Sequence, residues 1–369
     1  MNIVFPLPRF LRPLVAVALA VAAVQPAAAQ RAVTFAVPGA SATQPITVNN
    51  RGVTAGAYFS DTGWGAFIRE ATGEIATIQL PDAQTWTSYM SLNVRGTLVG
   101  TYVTSGSLVR GFIRTADGEV APFDVPGAGA TLLTAINDQG TMVGAYLDST
   151  MVDGAGFVVT RDGDIVEITG DPGDIYAPVA INNAGTVVGV VQRGNGVYAG
   201  LFVRDARGAI TRFGIPAEPS RPGVTRVDVP AMLPVGINAA GVVAGYYQFE
   251  EWAGDTSVAA GVRGFVRHPD GTVEVFSAPG STIDYPWGAS TLTVAQGISN
   301  AGTIVGYQQT TPLGYKAGFL RNRAGDFTVV DVEGALQTHV TGMSPSGLIV
   351  GTYLPADSQS GVTLGFIVR

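Results

Sequence analysis

The chain has 369 residues, of which 46% are hydrophobic and only 13% are charged, and its formal net charge is −7. This acidic balance and the lack of a basic cluster exclude nucleic acid as a partner. The sequence has no cysteine, which excludes disulfides, thiol catalysis, thiolate metal sites and a lipid anchor on cysteine.

The first 29 residues are predicted to be a secretory signal peptide. Arg9 and Arg12 precede an apolar stretch of 11 residues, 14–24, and Ala27–Ala29 lie before the expected cleavage at Gln30. A stretch of that length is too short to cross a bilayer. We therefore expect a secreted or periplasmic protein with no membrane span after cleavage. Residues 30–369 are expected to form one monomeric domain.

One motif recurs seven times in the rest of the chain. It consists of a short apolar run, Asn or Ser, two residues, Gly, a Val-rich strand, a second Gly and often Tyr, as in AINDQGTMVGAY at 135–146. Successive Asn or Ser positions are separated by 44, 44, 45, 56, 61 and 45 residues, at Asn49, Asn93, Asn137, Asn182, Asn238, Ser299 and Ser344. A period near 45 indicates an array with one supersecondary unit per repeat.

Each repeat predicts four short strands joined by tight turns. The Asn-x-x-Gly turn joins the first two strands, because Asn can bond its own backbone and Gly accepts a positive φ. A Gly-Phe pair marks the third strand, a turn such as ADGE follows it, and the fourth strand ends in Pro-Gly. Val, Ile, Thr, Phe and Tyr fill the strands, and helical periodicity is absent.

The two ends of the chain complement each other. The seventh repeat stops after its Gly-Phe strand at Arg369, while TFAVPGAS at 34–41 matches the missing fourth strand. A closed ring uses this complementarity and protects its sheet edges. The prediction is an all-β, seven-bladed β-propeller of four-stranded antiparallel blades, in which the N-terminal strand completes the last blade.

The repeats resemble the HAF-type extracellular repeat family of bacteria. The resemblance is carried by the Ile-Asn-x-x-Gly-x-Val-Val-Gly-x-Tyr stretches, the Gly-Phe strand and the Val-Pro-Gly-Ala strand, although Gly-Phe or Ala-Phe replaces His-Ala-Phe here. It implies an exported propeller-like repeat protein and carries no assigned activity or catalytic residues.

The residues identify no catalytic, cofactor or metal site. The two histidines, His268 and His339, lie far apart in sequence without a carboxylate motif. A Ser-His-Asp triad through His339 is left open, since triads assemble in space, but no Gly-x-Ser-x-Gly elbow supports one. Calcium on Asp171 and Asp174 is a further alternative to simple turn-forming aspartates.

The insertions predict where a ligand binds. Loops after the second and fourth strands share one face of a propeller, and here these loops are the long ones, at 248–262, 219–234 and 281–295. They carry aromatic residues beside carboxylates, which suit stacking and hydrogen bonding to a glycan or a protein. The predicted ligand-binding residues are Trp252, Trp287, Tyr285, Asp284, Glu251, Trp86 and Tyr176.

Three functions remain open from the sequence. The first is a non-catalytic exported propeller that binds a glycan or protein ligand on its loop-rich face. The second is a polysaccharide hydrolase or lyase that uses Glu250, Glu251 and Asp284 as acid and base. The third is a purely structural surface or matrix protein. In the non-catalytic interpretation the loop aromatics either bind ligand or fold down to plug the channel, and the sequence does not choose between them.

Overall fold

The protein is a closed ring of seven β-sheet blades around a central channel. The computed structural model describes residues 32–80, 82–193, 197–216, 223–285, 288–309, 311, 314, 316–358 and 361–369. Within these ranges, strands β2 to β29 follow one another around the ring in chain order. Strand β1, although it is first in the chain, belongs to the last blade.

The first strand of each blade borders the channel. These strands are β2 (Ala40–Val48), β6 (Ala83–Leu92), β10 (Ala128–Ile136), β14 (Asp174–Ile181), β18 (Arg226–Ile237), β23 (Gly288–Ile298) and β27 (Ala335–Met343). The second strands are β3 (Thr54–Ser60), β7 (Leu98–Thr104), β11 (Met142–Asp148), β15 (Val187–Arg193), β19 (Val243–Ala253), β24 (Ile304–Gln309) and β28 (Ile349–Pro355).

The third and fourth strands form the outer part of each blade. The third strands are β4 (Gly63–Arg69), β8 (Val109–Arg114), β12 (Gly154–Val159), β16 (Tyr198–Arg204), β20 (Thr256–Arg267), β25 (Lys316–Arg321) and β29 (Leu364–Val368). The fourth are β5 (Ile75–Ile78), β9 (Val120–Phe123), β13 (Ile165–Ile168), β17 (Ile210–Phe213), β21 (Val273–Phe276), β26 (Phe327–Val330) and, in blade seven, β1 (Val33–Phe35). An additional strand, β22 (Thr282–Tyr285), lies between blades five and six.

The predicted ring closure is confirmed. Strand β1 pairs antiparallel with β29, and Thr34 lies opposite Phe366. The Phe35 ring also contacts blade one, with its centroid 6.0 Å from that of Phe67. The N-terminal strand therefore completes the last blade and packs against the first one.

The repeated Gly and Phe of each unit form the blade core. Each mid-strand Gly of the second strand lies opposite the Phe of the third strand, as in Gly144 and Phe157. All seven of these phenylalanines are buried: Phe67, Phe112, Phe157, Phe202, Phe265, Phe319 and Phe366. The hydrophobic clusters combine side chains of neighbouring blades, so burial of apolar surface joins the blades to each other.

The Asn-x-x-Gly turns form a hydrogen-bonded belt around the channel. In each of blades one to five the Asn Oδ1 accepts backbone N–H bonds within its own turn, and Nδ2 donates to the equivalent carbonyl of the next blade. Asn137 shows both roles, since Oδ1 accepts from Gln139 and Thr141 while Nδ2 lies 3.2 Å from the Asn182 carbonyl. Ser299 and Ser344 cap their own turns but are too short to make the second bond. In these two blades a backbone N–H makes the bond to the next blade. The Asn300 N–H donates to the Pro345 carbonyl, and the Ser346 N–H donates to Asn50 Oδ1.

Candidate functional site

The two ends of the ring differ, and we name them by what they carry. The turn face holds the Asn-x-x-Gly and Asp-Gly turns, and the loop face holds the connections after the second and fourth strands. A cavity of about 250 Å³ lies on the channel axis at the turn face. It is lined by the ends of the seven first strands, including Met90, Thr134 and Val179, and by Asp138 and Asn183 at its rim.

The insertions on the loop face are strands, and the expectation that they are loops is wrong. Strands β19 and β20 have 11 and 12 residues, whereas the equivalent strands of blade three have 7 and 6. Residues 259–262 of β20 pair in parallel with 289–292 of β23, and β23 also pairs with β22. We call the projecting parts of β18, β19, β20, β22 and β23 the extended sheet, which joins blades five and six above the ring.

One face of the extended sheet is buried. Along β19, Tyr247, Phe249 and Glu251 are at most 4% exposed, and alternate residues of a strand point to the same side. Arg263 Nη2 lies 3.1 Å from Glu251 Oε1, and the Arg263 guanidinium lies 3.8 Å from the centre of the Phe249 ring. Glu251 is thus half of a buried ion pair, which would be costly to break.

The opposite face of the extended sheet carries a row of polar and aromatic side chains. Tyr246, Gln248, Glu250 and Trp252 alternate with the buried residues of β19, and we call these four residues the track. Gln248 is exposed, and the other three are half-buried. Asp228 on β18 and Ala260 on β20 are the cross-strand neighbours of Glu250. At about 3.3 Å per residue, the track runs roughly 20 Å from Tyr246 to Trp252.

Tyr246, where the track begins, is one of four tyrosines whose pKa values are linked to one another. Tyr89, Tyr198, Tyr246 and Tyr307 come from blades two, four, five and six, and we call them the tyrosine cluster. Burial raises the pKa of Tyr89, and the phenol of Tyr198 raises it further. Burial, followed by Tyr89 and Tyr198, raises the pKa of Tyr246.

Tyr307 of the cluster contacts His339 of blade seven. Burial and then Tyr246 raise the pKa of Tyr307, and the ring of Tyr307 lies edge-on to His339, with centroids 3.9 Å apart. The Lys316 Nζ atom lies 4.9 Å from the centre of the Tyr307 ring. Burial, and to a smaller extent the charge of Lys316, lower the pKa of His339 to about 4, so its imidazole is neutral at pH 7.

The residues predicted as a ligand site are dispersed in the structure. Trp252 lies on the track, whereas Glu251 and Asp284 lie on the opposite face of the extended sheet, by the alternation of β19 and the registers that join β19, β20, β23 and β22. Asp284 is exposed. Trp287 and the Tyr285 side chain lie outside the described residues, so the structure does not place them.

Two further predicted residues belong to blade cores. Tyr176 is 2% exposed and packs edge-on against Phe202, with centroids 5.3 Å apart. It occupies the buried position held by Thr43 and Thr131 in other blades, six residues before the Asn. Trp86 is half-buried on β6, with its ring centre 5.1 Å from that of Phe112. These two rings therefore belong to strands and not to loops.

Sequence reasoning missed the tyrosine cluster and its neighbours. Tyr246 and Tyr307 share one repeat position, directly after the second Gly, where Ala57, Thr101 and Ala145 stand in other blades. Large aromatic residues at a position that is otherwise small were the available signal. The contact between Tyr307 and His339 joins blades six and seven, so spacing along the chain could not show it.

The described residues give no sign of a metal site or a helical membrane span. No group of three or more His, Asp or Glu side chains in these ranges could hold a metal ion. The same ranges contain no helix with the length and apolar character needed to cross a bilayer.

Comparison with known proteins supports the fold and leaves the function open. No protein-family model and no curated protein matches the chain, so membership in the HAF-type family remains a prediction. The structure is similar to a catalytically inactive virginiamycin B lyase from Staphylococcus aureus with quinupristin, at 13% identity and a TM-score of 0.52, over 92% of this chain and 99% of that one.

Two further solved structures share the architecture. A streptogramin B lyase is 12% identical, with a TM-score of 0.50, over 91% of this chain and 96% of that one. Puromycin hydrolase is 12% identical, with a TM-score of 0.53, over 90% of this chain and 54% of that one. At these identities the similarity shows the β-propeller fold alone, because one fold hosts many unrelated functions.

Proposed function

We propose that this protein is an exported propeller that binds a glycan on its loop face, along the track and the tyrosine cluster. The observation that carries the proposal is the continuity of these two features through Tyr246, which belongs to both. The aromatic residues at the two ends of the track offer flat apolar surfaces, and Gln248 and Glu250 between them offer hydrogen bonds. An extended chain of sugars presents both kinds of surface at regular intervals.

The track suits an elongated ligand better than a compact one. Its four side chains follow one strand for roughly 20 Å. The sheet beneath them is held in place because β20 pairs with β23 of blade six. A preformed surface of this kind limits the entropy lost on binding. A protein segment is the other ligand that the sequence left open, and it is the alternative outcome of the test below.

A glycan array, followed by calorimetric titration with the best ligand, tests this proposal. Trp252→Ala is expected to weaken binding by about tenfold, which corresponds to the lower part of the range of about 1–3 kcal/mol found when a nucleic-acid base loses its aromatic stacking partner. Trp64→Ala is the matched control, because Trp64 is 41% exposed but lies on blade one. Equal losses in both variants, or binding of peptides alone, would contradict the proposal.

Enzymatic cleavage of the glycan is the second candidate. The carboxylates that the sequence predicts for it do not form one site, since Glu251 and Asp284 lie on the face opposite Glu250 and Glu251 is ion-paired with Arg263. However, Asp228 and Glu250 are cross-strand neighbours beside Trp252, and glycoside hydrolysis uses two carboxylates. Glu250→Gln would abolish product formation and retain binding if this candidate is correct. A wild-type protein that binds the glycan without cleaving it over days would leave binding as the function.

A further inference from the structure

The chain contains a single lysine, and it lies beside the tyrosine cluster. All other basic residues among the 21 are arginines. Lys316 begins β25 at the loop face, two strands from the channel, and its Nζ atom lies over the Tyr307 ring. Lysine and arginine are not equivalent here, because an ammonium is a compact charge that can turn its three donors toward a ligand.

His339 adds a polar atom that the fold leaves unused. Its Nε2 atom is buried and has no hydrogen-bond partner among the described residues. Buried polar nitrogens normally have a partner, since leaving one without costs on the order of 1–3 kcal/mol. The neutral imidazole can donate from Nε2 when its other nitrogen is unprotonated.

The side chains in contact with Tyr307 include one imidazole and one cation. The phenols of Tyr246 and Tyr307 stay protonated to higher pH than an ordinary tyrosine, so they keep their O–H donors. The charge of Lys316 also lowers the pKa of His339, so these two side chains lie close enough to interact. In a chain of net charge −7, the position beside Lys316, Tyr307 and His339 is locally suited to an anion.

The other end of the track has the opposite character. Asp228 and Glu250 lie opposite each other on β18 and β19, four residues or roughly 13 Å beyond Tyr246. The Glu250 carboxylate repels a negatively charged sugar and accepts hydrogen bonds from neutral hydroxyls. The proposed surface therefore has a cation at Lys316 and a carboxylate at Glu250, and Arg226 stands opposite Trp252 beyond it.

We propose that the glycan carries one carboxylate at its end, as a terminal uronate, and that Lys316, His339 and the Tyr307 hydroxyl receive this carboxylate while neutral sugars follow the track. This inference rests on the proposed glycan binding and adds the chemistry and the direction of the ligand. A chain that is charged at every sugar is disfavoured by Glu250.

The test compares three soluble probes by calorimetry. They are an oligosaccharide with one terminal glucuronate, the same oligosaccharide with glucose at that position, and trigalacturonate. We expect the terminal uronate to bind about tenfold more tightly than its neutral counterpart. A ratio of this size is typical of one hydrogen bond to a charged group. Lys316→Gln is expected to erase this ratio. Arg323→Gln removes one exposed positive charge from the turn face of the same blade and should leave it unchanged.

The single lysine permits a direct measurement as well. Reductive methylation with ¹³C-formaldehyde labels only Lys316 and the N-terminal amine, and Lys316→Gln identifies which resonance belongs to the side chain. The terminal uronate should shift the Lys316 resonance, and the glucose counterpart should not.

The outcomes separate the two proposals. Equal affinity for the uronate and glucose probes, or a ratio that persists in Lys316→Gln, overturns the carboxylate inference and leaves glycan binding intact. Trigalacturonate binding as tightly as the terminal uronate contradicts the proposed direction. If no saccharide binds but hexaglutamate shifts the Lys316 resonance, the ligand is an acidic peptide and both proposals fail.

Discussion

The ring of Phe157 rests directly on Gly144 of the neighbouring strand. A methyl group on Gly144 would lie 2.6 Å from Phe157 Cζ and 2.1 Å from the carbonyl oxygen of Leu132, and both contacts are closer than real Cβ atoms approach. The same arrangement recurs at Gly189 with Phe202. Glycine is therefore required in mid-strand because no side chain fits between the ring and the first strand.

Gly144→Ala is expected to destabilise the protein by about 3 kcal/mol, since the backbone of β10 or the Phe157 ring must move. Gly214→Ala is the control, because nothing lies within 4 Å of the position of its added methyl and its φ is ordinary. Chemical denaturation monitored by tryptophan fluorescence compares the two. Equal denaturation midpoints for Gly144→Ala and the wild type would show that the neighbouring residues accommodate the methyl group without loss of stability.

The Asn belt predicts a graded series at Asn137. Asn137→Ala removes three hydrogen bonds and leaves the turn amides without their acceptor, at an expected cost of about 2–3 kcal/mol. Asn137→Ser should cost less, because a serine caps the same turn at Ser299 and loses only the bond to the next blade. Thermal unfolding of both variants tests this order. A serine variant as unstable as the alanine variant would assign the whole effect to the belt between blades.

Ring closure predicts the effect of removing the N-terminal strand. Deletion of residues 30–37 removes β1 and the buried Val37, which is 2% exposed, and leaves β29 as an open sheet edge. We expect a lower melting temperature and self-association, since unpaired edges template pairing with other chains. Deletion of 30–32, which ends before β1, is the control. Light scattering and thermal unfolding equal to the control would show that β1 contributes little.

The fold was predictable from sequence to the level of strand order. The Asn or Ser period gave the blades, and the likeness of 34–41 to other fourth strands gave the closure later seen between Thr34 and Phe366. The strands of the insertion were missed, although their alternation was readable. Tyr247 and Phe249 point inward and Gln248 points outward, with a turn at Gly254. A long insertion by itself suggests a loop, and the pairing of β20 with β23 is a contact that no local pattern shows.

The candidate site was less predictable, for a physical reason. Trp252 was identified because tryptophan is conspicuous, whereas Tyr246 and Tyr307 were hidden within a repeated motif. The contact of Tyr307 with His339 depends on the packing of blade six against blade seven. Similar packing buries Tyr176, because its position in the repeat faces the blade core, whatever side chain stands there.

Burial of His339 predicts a dependence of stability on pH. Its pKa falls from an ordinary 6.5 to about 4 in the folded protein. The unfolded chain therefore binds this proton at higher pH, and the free energy of unfolding decreases as pH falls from 6.5 through about 4. The contribution is at most roughly 3 kcal/mol. His339→Gln should flatten this part of the stability curve, while His268→Gln, in a turn, should retain it. Identical curves for the two variants would exclude His339 as the origin.

Replacement of both Trp252 and Trp287 by Ala tests whether the loop-face aromatics bind ligand or hold the ring together. Trp252 lies at the tip of the extended sheet, ten residues along the chain from the turn-face residue Val242, and its side chain is half-buried. The blade cores consist instead of the buried phenylalanines and their neighbours. The double variant is therefore expected to keep the thermal unfolding of the wild type and to lose glycan binding. Tyr246→Phe, which removes one hydroxyl at the other end of the track, should weaken binding less than the double replacement, because the ring that stacks remains. If the double variant unfolds at a markedly lower temperature, these rings are structural, and the proposal that the track binds a glycan loses its main support. If it stays folded and binds the glycan like the wild type, the ligand does not follow β19.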